Sequence, residues 1–299
     1  VKDSVVVTGG SGLVGSYLKE IMPNAIYLSS SDYDLIKESD VERMYRELSP
    51  NTVIHLAAKV GGIIDNINKP AEYFDDNILM NTLLLKYAHL YGVKRFLGIL
   101  STCIYPDISK EYPMTEEDLH SGPPTETNFS YAYAKRSLAV QIESYNKQYG
   151  TNYNYLIPCN LYGLGDKNDE HKSHFVTALL KKISDAKDSN SDHITLFGSG
   201  KPLRQFMYAK DLALIIKMVI DRNVYESFNV ATDEVYSIDE IAKIALAATD
   251  SSLSIIYDSE KPDGQLRKDV SIEKLKNIFP DFQSTRLIDG IKLSYGENV

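Results

Sequence analysis

An α/β fold, a doubly wound parallel sheet with a smaller, discontinuous C-terminal substrate lobe, is predicted by three features of this 299-residue sequence. Short apolar runs alternate with longer segments of helical period, the signature of parallel strands joined by crossover helices. A glycine-rich turn, Gly9 to Gly15, stands directly between the first apolar run and the first helical segment. Beyond about residue 163 the alternation loosens into polar loops, including residues 163–173 and the Gly-Ser-Gly turn at 198–200.

The strand candidates are residues 4–8, 25–28, 52–57, 95–100 and 154–157. Between the third and fourth, a helical segment closes near Tyr91, with Gly92 in place to terminate it. A second helix follows Ser130, where Ala134, Leu138, Ile142 and Tyr145 paint one apolar face. A later helix opens at Ser237, with Glu240 completing a capping box. These elements predict a dinucleotide-binding domain over residues 1–162, rejoined by a segment at about 205–235, and a substrate lobe drawn mainly from 163–299.

Composition sets limits. With 43% hydrophobic and 24% charged residues the chain is an ordinary globular protein. A net charge of −9 argues against a duplex nucleic-acid partner. No stretch of about 18 apolar residues predicts a membrane span, and an N-terminus that opens directly with a strand shows no signal peptide, so the cytoplasm is the expected location. Two cysteines, Cys103 and Cys159, are too few for a disulfide framework or a zinc site, and no metal is expected.

In the turn, Gly9, Gly12 and Gly15 form a G-x-x-G-x-x-G variant of the Rossmann fingerprint, in which glycines permit tight turning, pyrophosphate approach and close helix packing. The following helix N-terminus offers backbone N–H donors to phosphates. The second strand runs out through Ser29-Ser30-Ser31 before Asp32; hydroxyls can donate to a 2′-phosphate, which favours NADP(H) over NAD. Tyr131 and Lys135, four residues apart at the opening of a helix, can reach one site. The ammonium is expected to lower the phenol's pKa and suit it to proton exchange with a carbonyl oxygen. Ser101, beyond the carboxyl end of the fourth strand, is placed to hold that oxygen.

On these residues the chain resembles the extended short-chain dehydrogenase/reductases, and more narrowly their GDP-L-fucose synthase branch. The likeness is carried by TGGSGLVGS at Thr8, HLAAKVGGI at His55, STCIYP at Ser101, YAYAK at Tyr131, NLYG at Asn160, SHFVTALLKK at Ser173 and GSGKPLRQF at Gly198. The resemblance implies Ser101, Tyr131 and Lys135 as a reductase triad, and Cys103 and His174 as base and acid for epimerisation at C3 and C5 beside a C4 ketone. It implies cofactor contacts from Gly9, Gly12, Leu13, Val14, Gly15, Ser30, Ser31, Ala57, Ala58, Lys135, Pro158, Asn160 and Leu161. A GDP-linked keto-deoxy sugar would meet Asn160, His174, Lys182, Phe197, Arg204 and the pair Arg267-Lys268. Family analogy adds a homodimer packed through the long helices after Tyr73 and Ser130. The chain departs from the family in lacking an arginine at the end of the second strand, in Ser254, and in a shorter segment after Lys268. A C4 reductase acting on an already epimerised heptose and a non-catalytic nucleotide-binding Rossmann protein are the competing readings.

Overall fold

The computed structural model describes residues 4–165, 175–261 and 263–296. Its N-terminal part runs β1 (Val5–Thr8), α1 (Leu13–Ile21), β2 (Ile26–Leu28), α2 (Glu38–Leu48), β3 (Thr52–His55), α3 (Ile63–Asn68), α4 (Pro70–Leu90), β4 (Arg95–Ile99), α5 (Phe129–Tyr149) and β5 (Asn154–Pro158). All five expected strands are present to within two residues at each end. β3 stops at His55 because Leu56 and Ala57 leave the ladder to pack against the glycine turn.

The remaining elements are β6 (Asn160–Tyr162), α6 (Phe175–Asp188), β7 (His193–Phe197), β8 (Leu203–Arg204), β9 (Phe206–Tyr208), α7 (Ala209–Asp221), β10 (Phe228–Val230), β11 (Tyr236–Ser237), α8 (Ile238–Ala248), β12 (Ser254–Asp258), α9 (Glu273–Ile278) and α10 (Leu287–Gly296). The main sheet has six strands in the order β10-β5-β4-β3-β1-β2, and every pairing in it is parallel. This is the doubly wound, Rossmann-type sheet. Strand order reverses between β1 and β3, and the crevice beyond their carboxyl ends is where such sheets bind ligands. Smaller two-stranded ladders, β12 with β7 and β6 with β9, lie outside it.

Local chemistry accounts for the positions that matter. Gly92, at φ +68°, follows the end of α4 in the left-handed conformation that glycine adopts freely. At α8, Ser237 Oγ accepts from the Glu240 N–H (3.1 Å) while the Ser237 N–H donates to Glu240 Oε2 (2.7 Å), the expected capping box. Strands β3, β4 and β5 are buried along most of their length, since helices cover both faces. At Gly98 in β4, a Cβ would stand 3.2 Å from Ile142 and Leu138, so α5 lies close against the strand. That closeness brings Lys135, on the same helix, within reach of the end of β4.

Candidate active site

The glycines of the turn do three different jobs. Gly9 has φ +72°, and a Cβ there would meet the Ala57 nitrogen at 2.7 Å, so the turn is pressed against the end of β3. A Cβ on Gly15 would strike Gly10 and Gly9 backbone atoms at 2.7 Å; its absence lets α1 fold back onto the turn. Gly12 is different: the one atom near its missing Cβ is the Gly9 carbonyl oxygen at 3.3 Å. It also occupies the N-cap of α1 with no side chain capping the helix, so the amides at Leu13 and Val14 face the approach a pyrophosphate would take. Gly10, absent from the fingerprint, proves equally constrained, since a Cβ would stand 2.7 Å from Tyr27 Cβ on β2.

At the end of β2, Ser29 and Asp32 turn inward to each other. The Ser29 N–H and Oγ both donate to Asp32 Oδ2 (2.7 and 2.8 Å), and Ser29 Oγ pairs with Ser31 Oγ at 2.7 Å. These bonds hold the Asp32 carboxyl below its usual range. Ser30 and Ser31 are exposed beside it. The cation near this strand end is Arg43 on α2, which sequence reasoning missed: its guanidinium stacks on Tyr33 (4.4 Å to the ring centroid), donates to the Asp32 carbonyl (3.4 Å) and is paired with Asp40 (3.2 Å) and Glu47 (3.7 Å). Eleven residues separate Arg43 from Asp32, and the only sequence signal would have been the helical phase of α2.

A buried polar relay ties the turn to the helix that bears Tyr131 and Lys135. Asn81 Nδ2 donates to the Ala134 carbonyl (3.2 Å), which leaves its Oδ1 to accept from His55 Nε2–H (2.9 Å). His55 Nδ1 then accepts from Thr8 Oγ1 (2.9 Å), which in turn accepts from the Ala57 N–H (3.4 Å). Burial pushes the His55 imidazole down to about 3, so it is neutral at any physiological pH. Sequence inspection had placed His55 only within a family motif.

Ser101 is the second residue after the buried end of β4 and the N-cap of a short 3-10 turn, Thr102–Ile104. Its Oγ accepts from the Cys103 N–H at 3.4 Å, so the reductase serine and the epimerase cysteine ride on one turn. Lys135 is 2% exposed and donates from Nζ to the Ile99 carbonyl at 2.8 Å, two residues before Ser101. Burial lowers its ammonium to about 8. Tyr131, half-buried in the first turn of α5, corrects one expectation. Its phenol is driven well above its usual value, not below it, because burial dominates and Cys103 and Tyr73 add to it, while the Lys135 ammonium is directed to the Ile99 carbonyl. The chain's own groups thus keep Tyr131 a neutral O–H donor.

Gly61 explains part of the Lys-Val-Gly-Gly-Ile run. A Cβ at that position would collide with the Tyr73 phenol, which donates to Asp65 (2.7 Å) beneath the loop. Asn77 binds both the N–H and the carbonyl of Lys59 (2.9 and 3.0 Å), fixing the path of the chain beyond Ala57 and Ala58. Pro158 ends β5, and Asn160 and Leu161 follow on β6, with Asn160 Nδ2 donating to the Gln205 carbonyl (3.0 Å).

The remaining substrate candidates separate into two groups. Arg204 and Lys268 are desolvated neighbours, each lowered by burial, and neither has a carboxylate at ion-pair distance among the described residues. Arg204 donates to the Leu203 carbonyl (2.8 Å) and feels the Asp263 carboxylate; two such cations side by side have the charge that a diphosphate would need. Lys182 and Lys261 stand 4.9 and 5.9 Å from the ring centroid of Phe197, which is 58% exposed. Arg267 stands apart: its Nε and Nη2 hold the buried Asp269 carboxylate at 2.6 and 3.0 Å, so its charge is already matched. His174 lies outside the described residues. Among those described, no cluster of His, Cys, Asp and Glu could hold a metal, and no helix is long and apolar enough to cross a membrane.

Comparison with known proteins agrees with this geometry. Residues 5–231 match the NAD dependent epimerase/dehydratase family. A GDP-L-fucose synthase from Dictyostelium discoideum is 37% identical over 305 residues, covering 98% of this chain and 94% of that protein. A crystal structure of a GDP-L-fucose synthetase from Naegleria fowleri bound to NADP superposes with a TM-score of 0.90 at 34% identity, covering 99% of this chain and 92% of the other. A GDP-6-OMe-4-keto-L-xylo-heptose reductase from C. jejuni shares the fold, with a TM-score of 0.89 at 24% identity over 99% of this chain and 97% of its own. The chain belongs to the NAD dependent epimerase/dehydratase family and, within it, to the GDP-L-fucose synthase branch of the extended short-chain dehydrogenase/reductases.

Proposed function

We propose that this protein reduces the C4 ketone of a GDP-4-keto-6-deoxy sugar with NADPH and, before that, epimerises the sugar at C3 and C5. The observation that carries the reading is the single turn bearing Ser101 and Cys103, set against the helix that bears Tyr131 and Lys135. A reductase needs the serine, tyrosine and lysine; an epimerase would in addition use a cysteine in the same place as its base.

NADP(H) fits the residues present. The uncapped α1 N-terminus and the open space at Gly12 suit a pyrophosphate, and Ser30 and Ser31 suit a 2′-phosphate. When bound, it supplies the hydride that converts the ketone to an alcohol. Tyr131 donates its phenolic proton to the C4 oxygen, and the Ser101 hydroxyl holds that oxygen in place. Lys135, charged at neutral pH and fixed by Ile99, offsets negative charge as it develops there. The hydrogens at C3 and C5 are acidified by the same ketone, since their removal gives an enolate. In this reading Cys103 acts as the base and His174 as the acid that returns a proton to the opposite face. Arg204 and Lys268 take the diphosphate, and Lys182 with Phe197 takes the guanine end.

The outer face of α5 leaves Phe129, Tyr133 and Val140 exposed, as α4 leaves Leu79. Those side chains support a homodimer built through the two long helices.

The deciding experiment offers purified protein GDP-4-keto-6-deoxymannose and NADPH in D2O. Product deuterated at both C3 and C5, with stoichiometric NADPH oxidation, is the expected result. Product reduced at C4 but free of deuterium at both carbons would restrict the enzyme to reduction, and failure to oxidise NADPH with this sugar or its 6-deoxy-heptose counterpart would remove the reading.

A further inference from the structure

Arg136, the residue after Lys135, is nearly as buried as its neighbour and has no carboxylate at ion-pair distance among the described residues. Its guanidinium is spent on two backbone carbonyls. Nε (2.8 Å) and Nη2 both donate to the Ile104 carbonyl, and Nη1 donates to that of Gly122 (2.9 Å). Ile104 is the last residue of the 3-10 turn that Ser101 caps and Cys103 occupies. One side chain of α5 therefore clasps the turn that carries Cys103 to the helix that carries Tyr131.

A buried cation without an anion is costly, so its retention needs a reason. Arg95 offers an internal comparison. It is equally buried and also bound to carbonyls, but those of Val219 and Ile220 belong to the last turn of α7, where the helix dipole supplies negative potential. Arg136 has no such helix end: Ile104 closes a three-residue turn and Gly122 lies in a loop. Two ionisable groups lie within its electrostatic reach: Tyr133, whose ring the guanidinium covers at 5.3 Å, and Cys103, which also faces Tyr131 and Lys135 on α5 and Lys268 from the segment after Arg267.

We infer that Arg136 is a positioning residue for the epimerisation half of the reaction: its fork fixes the Cys103–Ile104 end of the turn so that Cys103 Sγ meets the sugar's acidic carbon, whereas Ser101, at the other end, follows Leu100, whose N–H is held by the Leu156 carbonyl of β5 (2.9 Å). In the step it serves, the proton on C3 or C5 passes to Sγ and the C–H electron pair moves into the ring as the enolate of the C4 ketone. The inference rests on the epimerase reading above. It goes further by separating the two halves of the chemistry at one side chain that touches neither substrate nor cofactor.

The test uses the full-length protein and two variants, Arg136→Met and Arg136→Lys. Each is given GDP-4-keto-6-deoxymannose in D2O without NADPH, and exchange at C3 and C5 is followed by NMR. In parallel, each reduces pre-epimerised ketone with NADPH. Arg136→Met is expected to lose about 100-fold in exchange while kcat for reduction falls less than about 3-fold and its KM holds. Arg136→Lys, which keeps the charge but not the fork, should recover part of the exchange and serves as the assay if the methionine variant does not fold. Equal losses in both half-reactions would mean a merely structural arginine, and undiminished exchange would overturn the inference outright. Absence of exchange in the unaltered protein would instead remove the epimerase reading, and this inference with it.

Discussion

Replacing Lys135 with methionine should make the protein more stable and nearly inactive. The ammonium is 2% exposed, and burial takes it from its ordinary 10.5 to about 8. Holding it charged at neutral pH therefore costs about 3 kcal/mol relative to the unfolded chain. Its bond to the Ile99 carbonyl returns about 1 kcal/mol, leaving a net gain of about 2 kcal/mol for Lys135→Met at pH 7. The sign can be read from proton counts. Between pH 8 and 10.5 the unfolded chain binds a proton that the native lysine has released, so the unaltered protein gains stability as pH rises, whereas the variant has no such group. The gap between them should narrow by about 2 kcal/mol from pH 7 to pH 9.5. Urea unfolding of both proteins at the two pH values measures it, and other titrating groups cancel in the difference. Ketone reduction should fall by about 100-fold or more. A variant less stable than its parent at pH 7, or a gap that does not change with pH, would refute the claim that a buried, charged lysine is maintained here at the expense of stability.

The turn glycines should separate by role. Gly9→Ala, at positive φ with a Cβ 2.7 Å from Ala57, is expected to cost about 2–4 kcal/mol in urea unfolding, whereas Gly12→Ala should cost under about 1 kcal/mol yet weaken NADPH binding about 10-fold by fluorescence titration. Equal stability losses would erase that division. Arg267→Ala, which strands the buried Asp269 carboxylate, should destabilise the fold by about 3–5 kcal/mol. Arg204→Ala should leave stability within about 1 kcal/mol and raise the KM for the GDP-sugar about 10-fold or more; the reverse pattern would exchange the roles given to the two arginines.

The main sheet was legible because each of its first five strands is a continuous apolar run between punctuating loops, which a buried parallel strand requires. β10 was not: Phe228–Val230 is three residues long, and its place at the sheet edge is decided by pairing with β5, 72 residues away at Phe228 and Leu156. The β7–β12 ladder escaped notice for the same reason, since His193–Phe197 and Ser254–Asp258 find each other only in the folded chain. At the site, the glycine turn, Ser101, Tyr131 and Lys135 could be named because their spacing is local. The electrostatics could not. Spacing placed an ammonium one helical turn from a phenol, but which carbonyl captures that ammonium, and how thoroughly both groups are desolvated, depends on the close approach of α5 to β4 at Gly98.

Charge is distributed in a way the composition alone conceals. The chain is acidic overall, and many surface cations are matched: Lys59 with Glu72 and Asp76, Lys86 with Glu38, Arg286 with Asp289. Lys135, Arg136, Arg204 and Lys268, by contrast, are desolvated and have no carboxylate at ion-pair distance among the described residues. Such charges destabilise a protein unless an anion returns the energy. On the proposed reading Arg204 and Lys268 would meet a diphosphate, and Lys135 the negative charge that develops on the C4 oxygen. In a low-dielectric cleft each is worth more to an incoming or transient anion than a screened surface lysine would be. Arg95, equally buried and also without a carboxylate, finds negative potential at the last turn of α7 instead, so burial of an unmatched cation does not by itself mark a site; what sets Lys135, Arg136 and Lys268 apart is that all three lie within electrostatic reach of Cys103.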